Sequence, residues 1–209
     1  MRVTCRIFLK SMAIVFFAGL LIIAQNHNVA AFDLGEVVTI GAAYSTHIFL
    51  HEVGHQVVAD EVGADSSHMS FFTFKQGKFY PGLSTSKGIP EESVLSHAAG
   101  GESMAAYTFE YALDSYRRSP TTFNKSLLFF TCVDFVLYTV MSNYITPDDE
   151  TYDPTIIRDE TGCSKELFLS LVLAKSMVNT YRIYNQDANI VPMILIDRNS
   201  AALVFQFSF

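Results

Sequence analysis

Hydrophobic positions along this chain gather into long runs of helical period, separated by short polar connections. From Val37 to Val62 apolar and small residues recur without a proline, and Gly63 stands where a helix can close on a left-handed residue. One long helix is predicted there. Met69–Phe74 and Lys78–Tyr80 flank Gln76–Gly77, the pattern of a short hairpin. Gly82 to Pro90 is punctuated by Gly, Ser and Pro and predicts a loop. Glu91 and Glu92 suit the positive end of a second helix, expected to reach about Tyr116. A third helix is expected over Thr122–Asn143. Ser164 has the character of an N-cap for a fourth, whose apolar side carries Leu167, Phe168, Leu171 and Val172. Two strands are expected around Asp197–Ser200, Ile190–Ile196 before it and Ala201–Phe209 after it. The predicted fold class is mainly α (α+β). It is a compact bundle of about four helices, with a short hairpin after the first and strands at the C-terminus.

The first residues change the picture of where the chain goes. Arg2, Arg6 and Lys10 precede an apolar run from Ser11 to Ala24, and Val29-Ala30-Ala31 offers small residues for cleavage. A basic start, a short apolar core and a small-residue exit predict a signal peptide over residues 1–31, or a retained anchor. The run is shorter than the roughly 20 residues of a spanning helix. Export to the cell envelope is expected, with a single domain over 32–209. Losing the three basic residues takes the formal charge from −7 to about −10. Such a chain lacks the basic footprint of a nucleic-acid binder. Of three cysteines, Cys132 and Cys163 remain, which either pair or stay as buried thiols. Half the residues are hydrophobic, yet no later segment has about 18 apolar residues free of charge. In the third helix Asp134 interrupts the run. Membrane association of the folded part is expected on this balance.

Candidate chemistry lies at the centre of the first helix, at His51-Glu52-Val53-Gly54-His55. Residues i and i+4 project from one helical face about 5–6 Å apart, so both imidazoles can reach one ion. Glu52 begins about 100° round the helix, beside that face. It can act on a metal-bound water without being a ligand. HExxH on a helix is the pattern of a zinc-dependent hydrolase, which needs a third protein ligand and an open position.

Several acids compete for the third place. Glu102 shares an apolar, small-residue stripe with Ala98, Ala105 and Phe109, where a carboxylate requires a cation or donors. Asp153 precedes Pro154 and so stands at a helix start. Asp149 lies in the same acidic connection. Asp134, on a stripe with Phe130 and Tyr138, is expected to support a zinc-bound histidine. His97 lies about 140° from Glu102 on its helix, so the two should not share one ion. His47 extends the motif to i, i+4, i+8, which admits a histidine-box di-iron oxidase. Such sites use more histidines than the six present here, and His47 is expected to be a hydrogen-bonded helix histidine.

With these residues in view, the chain resembles the site-2-protease type of zinc metallopeptidase. The resemblance is carried by His51-Glu52-Val53-Gly54-His55, by Gln56-Val57-Val58-Ala59 and the Gly63-Ala64 exit, and by Ala98-Ala99-Gly100-Gly101. It covers about twenty residues closely. That family's aspartate ligand comes from a later Asp-Gly motif. Asp153, or Asp149, holds the corresponding place in chain order, but no Asp-Gly and no proline after Gly100 are present. Glu102 would suit the gluzincin arrangement instead. The resemblance implies Zn2+, a peptide or protein substrate, and Glu52 as general base. The rival class is a non-catalytic envelope protein that keeps such a fold for binding.

Overall fold

The computed structural model describes residues 33–75, 77–147 and 151–207. The expected signal segment and Asp149 lie outside them. Helix α1, Leu34–Glu61, is followed by strands β1, Ser66–Lys75, and β2, Lys78–Lys87. A single 3-10 turn at Glu91–Ser93 leads into α2, Val94–Arg118. Then come α3, Thr122–Val140, α4, Asp153–Thr161, and α5, Lys165–Tyr184, before β3, Ile190–Asp197, and β4, Ser200–Phe207. The helix bundle with two antiparallel hairpins is the fold class expected from the hydrophobic pattern. Gly63 closes α1 at φ 73, and the Ser164 hydroxyl accepts the Leu167 N–H at the start of α5, both as expected.

Three boundaries differ. The stretch expected to be a loop after Tyr80 continues as β2 to Lys87, paired antiparallel with β1 from Ser66↔Lys87 onward. Its glycine, serines and proline disguise it. Phe72, at φ 49, stands opposite Pro81 where the ladder skips a pair, and this break lets a proline sit within a paired strand. The end of the third expected helix loosens into a π-helical turn, Met141–Ile145. A fifth, short helix, α4, starts with Pro154 in its first turn and ends at Gly162, which is left-handed at φ 67.

The helices bury two apolar centres. Ile40 and Ala43 of α1 meet Phe109 and Leu113 of α2 and Leu127 and Leu128 of α3. Leu95, Ala98 and Phe135 meet Ile157 of α4 and Phe168 and Val172 of α5, with Ile194 and Ile196 of β3 against them. Burying one such side chain contributes about 1.5–3 kcal/mol. The crossing of α1 over α2 decides the position of the motif. A Cβ on Gly54 would stand 2.2 Å from the Gly100 carbonyl oxygen, and one on Gly100 would stand 2.7 Å from that of Gly54. The two backbones therefore touch at a pair of glycines, which brings α2 directly under the HExxH turn. Helix α3 runs parallel to α1, since Tyr44 meets Phe130, His47 meets Asp134 and His51 meets Tyr138 in order. Cys132 and Cys163 are free thiols, and Cys132 contacts the hydroxyls of Ser176 and Thr180 on α5.

Candidate metal centre

The helical period of α1 puts His51 and His55 on one buried face, and the first turn of α4 brings Asp153 to them. Their ligating atoms form a nearly equilateral triangle. The two Nε2 atoms are 3.3 Å apart, and Asp153 Oδ2 lies 3.5 Å from His51 Nε2 and 3.2 Å from His55 Nε2. In a tetrahedral site with bonds of 2.0–2.1 Å, ligand atoms stand about 3.3–3.4 Å apart. A facial set on an octahedral ion with similar bonds would stand about 3.0 Å apart. The triangle has the dimensions of one face of a tetrahedral metal site. Among the described residues this is the group of His, Cys, Asp and Glu side chains close enough to hold one ion.

Space for an ion is kept by Gly101 of α2. A Cβ there would stand 2.4 Å from His51 Nε2 and 2.5 Å from His55 Nε2, within the volume that an ion and its ligands would fill. The outer nitrogen of His55 is fixed too. His55 Nδ1 lies 2.8 Å from the His97 carbonyl oxygen, so Nδ1 donates its proton there and Nε2 is the nitrogen turned toward Asp153. The His97 ring lies tilted against His55, with centroids 5.3 Å apart. Its Nε2 meets Ser86 Oγ of β2 at 3.1 Å, and Ser86 Oγ meets Ser67 Oγ of β1 at 2.9 Å. This chain of contacts ties the first hairpin to His55.

Electrostatics support the same grouping. Burial alone would lower the His51 pKa, but the hydrogen bond and charge of Asp153 outweigh it and push His51 up to about 9. His55 is raised against the same opposition, by the Asp153 charge. Burial would raise Asp153, yet the two imidazoles hold it well below the ordinary carboxylate range. The charged states of these three groups depend on one another, as the shared contacts require.

Glu52 is 7% exposed and lines a cavity of about 430 Å3 together with both histidines and Asp153. Burial raises its pKa, opposed by the charges of the two histidines and by the Ser84 backbone N–H. Strand β2 passes directly over this carboxylate, for a Cβ on Gly82 would fall 2.5 Å from Glu52 Oε1. The remaining walls are largely apolar, from Ile48, Phe79, Leu83 and Leu137 among others.

Of the acids expected to compete for the ion, Asp153 reaches the histidines and Glu102 does not. Glu102 turns away from Gly101 and pairs with Lys175 of α5, each side chain 12% exposed. Asp134, expected to support a zinc-bound histidine, instead faces His47 at 3.1 Å, one turn earlier on α1. His47 was expected to be a hydrogen-bonded helix histidine; it has the Asp134 carboxylate beside it as an ion-pair partner, but neither ring nitrogen meets hydrogen-bond geometry. His68 stands exposed on β1. Two contributors escape a reading of the sequence: the His97 backbone carbonyl and the Tyr138 hydroxyl, which accepts the Asp153 backbone N–H at 3.3 Å. A carbonyl carries no sequence signal. Tyr138 could have been flagged only as a polar tip on the stripe of Asp134. No family model, curated protein or solved structure matches this chain.

Proposed function

We propose that this protein is a zinc-dependent metallopeptidase, with His51, His55 and Asp153 as ligands and Glu52 as general base. The observation that carries the reading is the His51–His55–Asp153 triangle, whose sides match a zinc tetrahedron. Glu52 lies beside it in the same cavity. A zinc ion held there would act as a Lewis acid and lower the pKa of a bound water. Glu52 takes a proton from the attacking water on a carboxylate oxygen and returns it to the amide nitrogen as the C–N bond breaks. Its raised pKa suits a group that must both accept and release a proton. The fixed tautomer of His55, set by the His97 carbonyl, keeps a lone pair aimed at the ion.

A peptide substrate is favoured by β2. Among the described residues this strand pairs with β1 alone, and residues 79–84 border the cavity. An extended peptide can add to such an edge by main-chain hydrogen bonds beside the metal. Membrane association in the cell envelope completes the proposal. It rests on the N-terminal apolar run and on Thr122–Ile145, the one described helix that is long and apolar enough to cross a membrane.

Two measurements test the reading. Purified wild-type protein, dialysed against trace zinc, should hold one equivalent. Glu52→Gln should keep that zinc and lose hydrolysis of a peptide mixture by at least about 100-fold. Equal cleavage by Glu52→Gln would refute the mechanism, and a folded protein that takes up no zinc favours the non-catalytic class.

A further inference from the structure

Zinc ligands and Glu52 handle the water and its proton, but a third charge develops during the reaction. As the scissile carbon becomes tetrahedral, the carbonyl oxygen turns into an oxyanion, and a fixed donor aimed at it is worth a large part of the rate. Tyr138 of α3 is placed for that task. It lines the cavity with Glu52 and the three ligands. Its ring is held edge-on against His51 at 6.4 Å and against Tyr152 at 5.4 Å. Its hydroxyl accepts the backbone N–H of Asp153 at 3.3 Å, so the oxygen is tied to the backbone of a ligand residue. A phenol that accepts one hydrogen bond keeps its own proton, which rotates about the C–O bond. Among the described residues nothing accepts that proton.

We propose that Tyr138 donates its O–H to the oxyanion formed when a peptide bond is hydrolysed at the His51–His55–Asp153 centre. The inference rests on the metallopeptidase reading and assigns it a further catalytic residue. In the step concerned, the water oxygen bonds to the carbonyl carbon and the π pair moves onto the carbonyl oxygen. Tyr138 stabilises that oxygen by a hydrogen bond without giving up its proton. The pair then returns, the C–N bond breaks, and the amine leaves with the proton carried by Glu52. The hydroxyl's other contact, on Asp153 N, limits its travel between the two states.

A matched pair of probes reads this contact without turnover. N-phosphoryl-Leu-Phe presents tetrahedral oxygens to the site, and mercaptoacetyl-Leu-Phe offers a thiolate to the metal with no oxyanion. Their side chains suit the apolar walls. Calorimetry on the zinc-loaded full chain should give Tyr138→Phe the same zinc stoichiometry as wild type. The variant should bind the thiol within about 2-fold, and the phosphoryl probe about 10- to 100-fold more weakly. Loss of affinity equal for both probes, or for neither, overturns the role of Tyr138 and leaves the metal site standing. Wild-type protein that holds zinc and binds neither probe overturns the peptidase reading together with it. If the phenylalanine variant fails to fold, Tyr138→3-fluorotyrosine keeps the shape and donates more strongly. It should tighten the phosphoryl probe alone by a few-fold, and an unchanged ratio of the two affinities refutes the contact.

Discussion

Replacing Gly101 by alanine should separate folding from metal binding. The residue sits in the interior of α2, where alanine is favoured over glycine by about 1 kcal/mol. Its new Cβ would nevertheless lie 2.4 Å from His51 Nε2 and 2.5 Å from His55 Nε2. Relief to ordinary contact requires each ring to withdraw by about 1 Å. Metal sites tolerate ligand displacements of about 0.2 Å, so the triangle with Asp153 cannot survive that movement. The rings have some freedom to yield, because they are the ends of side chains rather than backbone. Metal-free Gly101→Ala should therefore melt within a few degrees of wild type, the helix gain offsetting the displaced imidazoles. Zinc affinity, measured by competition with a chromophoric chelator, should fall by at least about 100-fold. The rise in melting temperature that zinc gives wild type should vanish, although zinc at about 100 times its Kd supplies about 2.7 kcal/mol. A Gly101→Ala protein that binds zinc as tightly as wild type would refute the assignment of this space to a metal.

Other outcomes follow from the same geometry. Zinc must displace the proton that Asp153 helps His51 to hold, so zinc affinity should climb from pH 6.5 to about 9 and level off above it. Stability of the metal-free protein should run the other way. The raised His51 contributes fully below about pH 6.5 and fades as pH rises through about 9, while the lowered Asp153 contributes above the ordinary carboxylate range and fades in acid. Melting curves with zinc and with chelator at each pH check both signs, and a zinc-induced shift that shrinks between pH 6.5 and 9 would contradict them. Asp153→Asn should abolish stoichiometric zinc. Glu102→Gln should keep zinc but cost about 2 kcal/mol in chemical denaturation, since Lys175 loses its partner in a largely buried setting; zinc loss in the Glu102 variant alone would reverse the ligand assignment.

The helical part of this architecture and the pairing of His51 with His55 were legible in the sequence, because the α-helical period alone brings residues four apart onto one face. Asp153 was legible in part, since the following Pro154 marks a helix start. What brings that start to His51 is packing of α4 against α2 and α3, which no local pattern carries. Glu102 shows the limit of such reasoning. Its apolar stripe rightly predicted burial and a need for a cation, but the cation is Lys175, 73 positions along the chain and supplied by α5. Asp134 was likewise rightly expected to be a histidine's partner, and the parallel register of α3 on α1 gives it His47 instead of His51. Strand β2 was hidden because Pro81, Gly82, Ser84 and Ser86 carry loop character. Here Gly82 serves close approach to Glu52, and Ser86 serves the contact with His97.

One metal ion held between His51, His55 and Asp153 underlies the proposed chemistry. Diffraction from zinc-loaded crystals at the zinc absorption edge tests it most directly. A single anomalous peak is expected about 2.0–2.1 Å from both Nε2 atoms and about 2.0–2.2 Å from an Asp153 oxygen, with Glu52 outside bonding distance. A peak held by Glu102, or no peak at this triangle in a crystal that contains zinc, would contradict it.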